Sequence, residues 1–531
     1  MMDSKDLEAE IHPLKNEDGK LQENLENQAK KEDSLKSSPL QSRLSRCRTV
    51  AFFLSLFICL LGVFVISFII PCPDRPASQG TWRINYDTAV TYDFLATEDI
   101  NRDKVQDVLF LYKNTNSSNN FNRSCASEGF SSPCTFVAAV SGANGSILWE
   151  RPAAQDVALV ECAIPQPRDS GASSACILMG RLGSFIAVNS FTGETLWNHP
   201  SSFGGNASIL SPLLQVNGYI YSGSTGQQIG HQGSLCVDGT SGSLLFVTRA
   251  GAHYILLPCA SSLCGHSVKG LYEKVTGRDN QLRRDPYWED MLNTTTHRLL
   301  LHSSGGIRYL LNVPGKSGEH LLLVSSEACV LLDGQELAPI WTFSAAQVLR
   351  KPIFGRYTPD TLAVVIENGT GIDRQILFLD LNTGVVLWSQ ALPGLPGDPQ
   401  SASLPTADHR SAFFFWGLHE LVAANQMEPR DAQHSLYMFH PTVPSVLLEL
   451  ANISANIVAF QVALFEPSRH AACILLTGPA GPDAPGLVSV AKHKVQDLIL
   501  SSRVVRLAEG GPDSDQAIRD RLSHLRYQSK A

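Results

Sequence analysis

The order of apolar and polar positions divides the chain into three parts. Residues 1–49 are rich in Glu, Lys, Asn, Gln and Ser and hold no aromatic side chain. Such a segment cannot bury enough surface to offset chain entropy, which predicts a disordered tail. Val50–Ile70, VAFFLSLFICLLGVFVISFII, then runs without a charge or a proline. As a helix it would cross roughly 30 Å, the thickness of a bilayer's hydrocarbon core. One transmembrane helix is predicted over 50–70. A core helix is the competing reading, but it would have to be apolar all round while flanked by arginines. From residue 71 onward, short apolar runs alternate with Gly, Asn, Asp and Ser clusters, the pattern of many short strands joined by tight turns.

Those runs repeat. SGANGSILW ends at Trp149, NSFTGETLW at Trp197, DGTSGSLLF at Phe246, DGQELAPIW at Trp341 and DLNTGVVLW at Trp388, and the successive aromatics stand 48, 49, 95 and 47 residues apart. The 95 is nearly two periods, so one unit is degenerate. Ahead of most nonamers lie two apolar runs and a turn, and weaker copies follow around 411–448 and 472–500. Four strands in about 40–50 residues make a propeller blade. The expected fold is therefore all-β, a β-propeller of seven or eight blades over 96–500. Trp149, Trp197, Phe246, Trp341 and Trp388 would be docking aromatics wedged between neighbouring blades. A pair of β-sandwiches would not explain the recurring D-x-x-x-G-x-x-x-W phase. Residues 71–95 are assigned to a juxtamembrane linker and first strand, and 501–531 to a C-terminal tail, partly helical or disordered.

Charge then sets an orientation. Arg43, Arg46 and Arg48 precede the apolar segment, whereas PCPDRPASQG after it carries one Arg and one Asp; the positive-inside bias predicts a cytosolic N-terminus and a type II, single-pass protein. Sequons at Asn116, Asn122, Asn144, Asn206, Asn293, Asn368 and Asn452 all follow the segment, which suits a glycosylated lumenal or extracellular region. Ten of the twelve cysteines also follow it, where an oxidising compartment permits disulfides. Cys125 with Cys134, Cys162 with Cys176 and Cys259 with Cys264 are near enough for local loops, although spacing does not fix pairing. Zinc is disfavoured, since no C-x-x-C pair occurs. In the tail, Ser38, Ser42 and Ser45 are candidate phosphorylation sites, and Cys47 a candidate for acylation. A formal charge of −8 argues against a nucleic-acid partner.

DLNTGVVLW resembles the tryptophan-docking turns of quinoprotein-like propellers. EDINRDKVQDVLFLY, Glu98 to Tyr112, resembles the calcium turn of FG-GAP repeats in integrin α-chain propellers. The order of tail, signal-anchor and propeller is similar, over the whole length from MMDSKDLEAEIHPLKNEDGK onward, to the family with sequence similarity 234, which is also described as integrin-α FG-GAP repeat-containing. That resemblance implies a plasma-membrane or secretory-pathway glycoprotein with no established catalytic activity. Lys104 departs from the integrin pattern, which has glycine there, so integrin-like ligand binding does not carry over.

Asp99, Asn101, Asp103, the carbonyl of Val105 and Asp107 could supply oxygens to one structural calcium ion, the single cofactor considered. The alternative is a turn whose carboxylates cap backbone amides. No nucleophile elbow, phosphate loop or zinc-protease helix occurs, so no enzymatic activity and no small-molecule substrate are expected. Loops on a rigid scaffold carry binding, and two stand out. Asn114–Cys134 holds two sequons; Leu257–Asp290 mixes basic and aromatic residues and is the preferred partner surface. The reading is a membrane-anchored propeller that binds another, unidentified protein, as an adhesion component or accessory subunit. Its alternatives are a secretory-pathway lumenal sensor or chaperone-like subunit and, further off, a quinoprotein-like enzyme.

Overall fold

The computed structural model describes residues 39–69, 80–115, 124–165, 174–181, 184–199, 207–210, 213–216, 219–230, 242–259, 261–293, 298–302, 305–315, 318–344, 347–370, 373–395, 397–418, 434–465, 469–481, 483–508 and 513–528. The chain separates into two compact units, Met1–Arg75 and Pro76–Ala531.

The first unit contains α1, Pro39–Ile69. Within it Arg48–Val65 is long and apolar enough to cross a membrane, and none of it is buried. The helix takes in residues 39–49, which composition assigned to the disordered tail. The difference has a local cause. Proline at the first helical position lacks only an N–H that would be unpaired anyway, and once a helix exists each added residue gains a hydrogen bond without a new nucleus.

The second unit is all sheet with small helices. Five of its seven sheets are four-stranded, one has five strands and one has seven. The seven-stranded sheet is two blades that share β1 (Trp82–Glu98). Trp82–Ala89 pairs with residues 486–492 of the strand Gly486–Lys494, and after a break in register Val90–Glu98 pairs with residues 107–113 of β2 (Asp107–Asn114). Blade 1 is thus the second half of β1 with β2, β3 (Cys134–Val140) and β4 (Ile147–Ala154). Blades 2 to 6 follow in chain order, and blade 7 gains a fifth strand, Arg503–Arg506, on Val446–Ile453. Blade 8 combines Asn456–Phe465, His470–Gly478 and Gly486–Lys494 with the first half of β1. The propeller therefore begins at Trp82, not at 96, because its N-terminal strand completes the last blade and leaves no open edge at the seam. Its end also lies beyond 500: Ile518 and Leu522 of the helix Asp515–Ser523 and Tyr527 pack in the core cluster of blades 7 and 8.

One turn recurs between the third and fourth strands of blades 1, 2, 3, 5 and 6. Its opening residue, Ser141, Asn189, Ser222, Asp333 or Asp380, donates its N–H to the carbonyl five residues on and accepts from the N–H four residues on. Where that residue is Asn or Asp, its side chain also accepts an N–H two residues on, at 2.8 Å for Asn189, Asp333 and Asp380, which explains the polar opening of those three nonamers. The fifth position is left-handed: φ is 78° at Gly145, 69° at Gly193, 66° at Gly226 and 70° at Gly384. The preceding blade's indole lies against it. A Cβ on Gly193 would stand 2.5 Å from Trp149, on Gly226 2.6 Å from Trp197 and on Gly384 2.8 Å from Trp341. In blade 5 Leu337 takes this position at φ 52°, a strain on the order of 1 kcal/mol.

Trp388 keeps the blade 6 to 7 contact in altered form. It is half-buried, lies 4.2 Å from the Phe439 ring and donates to the Pro444 carbonyl at 3.0 Å. Phe246 docks from another strand. It sits on the first strand of blade 4, Leu244–Val247, with its ring stacked 5.2 Å from Trp288 and reaching the blade 5 turn, where a Cβ on Gly334 would stand 3.0 Å from it. The turn of blade 3 is Ser222–Gly226, and Gly230 stands where the aromatic would be; a Cβ there would lie 2.2 Å from the Val275 carbonyl. Blade 4 has replaced its turn with α2 (Val268–Thr276) and α3 (Pro286–Met291), so a glycine receiving a helix substitutes for an aromatic receiving a glycine. This is the degenerate unit behind the 95-residue interval.

Candidate functional site

The acidic loop between β1 and β2 is the strongest candidate in the sequence, and its oxygens face its own backbone. Asp99 Oδ2 accepts the N–H of Lys104 at 3.0 Å, Asn101 Oδ1 that of Asp103 at 3.0 Å, and Asp103 Oδ1 that of Val105 at 2.7 Å. Asn101 Nδ2 donates to Asp103 Oδ2 at 2.9 Å. Asp107 is fully buried and accepts three amides: Ile100 at 2.9 Å, Asn101 at 3.1 Å and, from the next turn, Gly142 at 2.9 Å. Burial outweighs those donors and pushes its carboxyl up to about 6. Asp99 Oδ1 is the one buried side-chain oxygen of the loop without a hydrogen-bond partner among the described residues. The carboxylates therefore cap amides of their own turn, as the capping alternative requires, and no group of three or more His, Cys, Asp or Glu among the described residues is placed to hold a metal. Arg102 and Lys104 both adopt positive φ, 62° and 66°.

That loop belongs to the seam of the ring. The Gly142 carbonyl accepts from Trp82 Nε1 at 3.2 Å and from Lys492 Nζ at 2.7 Å, while its N–H goes to Asp107. Lys492 is buried, 3.8 Å above the Phe465 ring, and burial brings its ammonium down to about 8. Trp82 docks on Gly145, where a Cβ would stand 2.9 Å from its indole. It is a fifth docking tryptophan, and sequence reasoning missed it because the strands preceding it in the blade lie near the other end of the chain.

A second polar cluster joins blades 6 and 7. Glu367 Oε2 pairs with Arg350 at 2.7 Å and Arg374 at 3.0 Å, and Ser401 donates to Glu367 Oε1 at 2.5 Å. Arg374 also donates to the carbonyls of Leu392, at 3.0 Å, and Trp416. Asp398 lies 3.8 Å from Arg374 and 2.6 Å from His434. Burial alone would raise Asp398, but His434, the Leu395 N–H and Arg374 outweigh it and hold the carboxyl below its usual range. Every charge here has a partner, which makes the cluster a clamp between blades.

The α2–α3 insertion is different. Leu271, Val275 and Trp288 face inward, and Asp285 caps α3 and accepts from Gln335 Nε2 at 3.2 Å. Outward it presents Tyr272, Leu282 and Tyr287 beside Lys274, Arg278 and Arg283, all exposed. Glu273 engages Arg284 and Lys269. Of the other candidate loop, Asn114–Cys134, residues 116–123 with both sequon asparagines lie outside the described residues.

Disulfides join Cys125 to Cys134, Cys162 to Cys176 and Cys259 to Cys264. Asn144, Asn293 and Asn452 are exposed and Asn368 is half-buried, whereas Asn116, Asn122 and Asn206 lie outside the described residues. Ser42 and Ser45 fall within α1, and Ser38 lies outside the described residues.

Four-stranded blades in chain order, joined at a shared strand and docked through indole on turn, define a β-propeller. The chain belongs to the FAM234A/B beta-propeller family, whose model matches residues 82–218 and 215–528. It is 73% identical over 552 residues to human Protein FAM234A, covering all of both chains, and 27% identical to chicken Protein FAM234B over 86% of this chain and 79% of that one. Among solved structures, BamB from Moraxella catarrhalis is 13% identical and matches 77% of this chain and 98% of its own with a TM-score of 0.37.

Proposed function

We propose that this is a single-pass membrane protein with a cytosolic N-terminal tail, whose propeller lies on the lumenal or extracellular side and binds another protein without catalysing a reaction. The observation carrying the binding reading is the α2–α3 insertion. It replaces one docking turn of a rigid scaffold and exposes Tyr272 and Tyr287 with Arg278 and Arg283, residue types enriched at protein interfaces. The orientation is supported by Arg43, Arg46 and Arg48 ahead of the apolar stretch and by three disulfides beyond it, which persist in oxidising compartments.

The test is proximity labelling from the C-terminus of the full-length protein in cells, followed by crosslinking, with wild type and a Tyr272→Ala, Tyr287→Ala double variant. A crosslinked protein lost only in the variant supports the reading. Unchanged crosslinks would move the partner surface elsewhere, and labelling restricted to cytosolic proteins would reverse the orientation.

A further inference from the structure

We infer that, of the sequons the structure describes, Asn144 carries an N-linked glycan and Asn368 carries none; the assignment rests on the lumenal placement proposed above. Asn144 is the fourth residue of the blade 1 turn and is exposed. Its Oδ1 accepts the N–H of Ser146 at 2.8 Å, and its amide nitrogen has no hydrogen-bond partner among the described residues. The turn is backed from inside by Trp82 against Gly145, so the side chain with the free nitrogen stands outward on a rigid support. Asn144, Gly145 and Ser146 are themselves the acceptor sequence.

Asn368 has the same sequence pattern in the opposite setting. It lies in the strand Thr361–Thr370, paired with Gln375 on one side and bridged to Val348 on the other. Its Oδ1 accepts the N–H of Gln347 at 2.9 Å, and its neighbour Glu367 is held in the buried ion cluster. Asn368 is half-buried within a strand flanked on both sides by backbone, so an oligosaccharide on its Nδ2 would have to displace the neighbouring segment at Gln347 and Val348. Asn293 and Asn452 are exposed and compatible with modification.

The chemistry needs one co-reactant, a polyisoprenyl-diphosphate-linked oligosaccharide. The Asn144 Nδ2–sugar C1 bond forms, the bond from C1 to the diphosphate oxygen breaks, and the amide proton is balanced by the departing diphosphate. No electron transfer is involved. A glycan here would cover the outside of the turn that receives Trp82, leaving the α2–α3 insertion of blade 4 for a protein partner.

The full-length chain made in mammalian cells is released from its glycans by peptide N-glycosidase in heavy-oxygen water and mapped by mass spectrometry, beside Ser146→Ala and Asn368→Gln variants on gels. Ser146→Ala destroys the acceptor while keeping the Asn144 side chain in its turn, so misfolding does not obscure the result. The expected outcome is a heavy-oxygen aspartate at 144 and not at 368, one glycan lost in Ser146→Ala and none in Asn368→Gln. A chain glycosylated elsewhere with Asn144 bare, or with Asn368 occupied, overturns the assignment alone. A chain with no glycan at any sequon overturns the lumenal placement and the assignment with it.

Discussion

Lys492 Nζ donates a 2.7 Å hydrogen bond to the carbonyl of Gly142, 350 residues earlier in the chain, and so joins the last blade to the first. The same carbonyl accepts from Trp82, and the N–H of Gly142 donates to Asp107. Gly142 has no room for a side chain, since a Cβ would lie 1.9 Å from the Gln106 carbonyl. Gly142→Ala is expected to lower unfolding free energy by more than about 3 kcal/mol, because backbone must move. Lys492→Met, which removes one charged hydrogen bond and a cation–π contact but leaves the Trp82 donor, should cost about 1–3 kcal/mol. Denaturant unfolding of the two variants checks the order.

Docking tryptophans should differ in worth according to burial. Trp82 is 7% exposed and closes the seam, whereas Trp388 is half-buried. Trp82→Ala should cost about 3–5 kcal/mol, the range for large-to-small changes in a core, and Trp388→Ala less. Melting temperature gives the ranking, and limited proteolysis should cut the Trp82 variant first next to β1. Equal losses would mean that the seam holds no more than any other blade junction.

These contrasts show what the sequence made legible and why the rest stayed hidden. Trp149, Trp197, Trp341 and Trp388 could be read because each follows its own turn by four residues, so the repeat lies within one stretch of chain. Trp82 does the same work without a preceding nonamer, since its blade is assembled from both ends of the propeller. Phe246 also reaches a neighbouring blade's turn, at Gly334, but from the first strand of blade 4, because the docking exchange at blades 3 and 4 swaps an aromatic for Gly230 and a turn for helices. The polar pattern of the acidic loop was visible, but whether its carboxylates turn outward to an ion or inward to amides is a matter of backbone conformation that spacing does not encode.

The inward arrangement makes Asp107 the critical acid of that loop. Asp107→Ala leaves two buried N–H groups, of Ile100 and Gly142, and the half-buried one of Asn101 unpaired and should cost about 3 kcal/mol or more, while Asp103→Ala, at an exposed turn, should cost under about 1 kcal/mol. Lys104→Gly relieves a positive φ of 66° and should gain up to about 1 kcal/mol. Melting in millimolar calcium and in chelator should coincide. A calcium-dependent rise that disappears in Asp103→Ala would restore the ion.

His440 predicts an acid-sensitive step. It is buried between Thr406, at 3.2 Å from Nε2, and Thr442, at 2.7 Å from Nδ1, with Asp408 3.9 Å away. Burial brings its pKa down to about 4, with Arg410 adding to the effect and Asp408 opposing it. The unfolded chain therefore takes up this proton first as pH falls. The contribution of neutral His440 is present above pH ~6.5 and is lost progressively down to about 4, by at most on the order of 3 kcal/mol. Urea midpoints at several pH values should fall over that window in the wild type and fall less in His440→Gln; parallel curves would assign the loss to other groups.

The clamp between blades 6 and 7 gives the sharpest test of coupling. Glu367 neutralises Arg374, whose side chain is 1% exposed, and Arg350 at the same oxygen. Asp398 at 3.8 Å is too distant to replace it. Glu367→Gln should then strand buried positive charge and cost about 3–5 kcal/mol, and Arg374→Met should strand Glu367 less severely because Arg350 and Ser401 remain on it. Removing both charges, as Glu367→Met with Arg374→Met, abolishes the uncompensated ion and should be less destabilising than the sum of the single changes by 1 kcal/mol or more, roughly the scale seen for residues in one network. A double-mutant cycle by denaturant unfolding reads that difference directly. Strict additivity would show that the two side chains act independently and that packing, not ion pairing, holds these blades together.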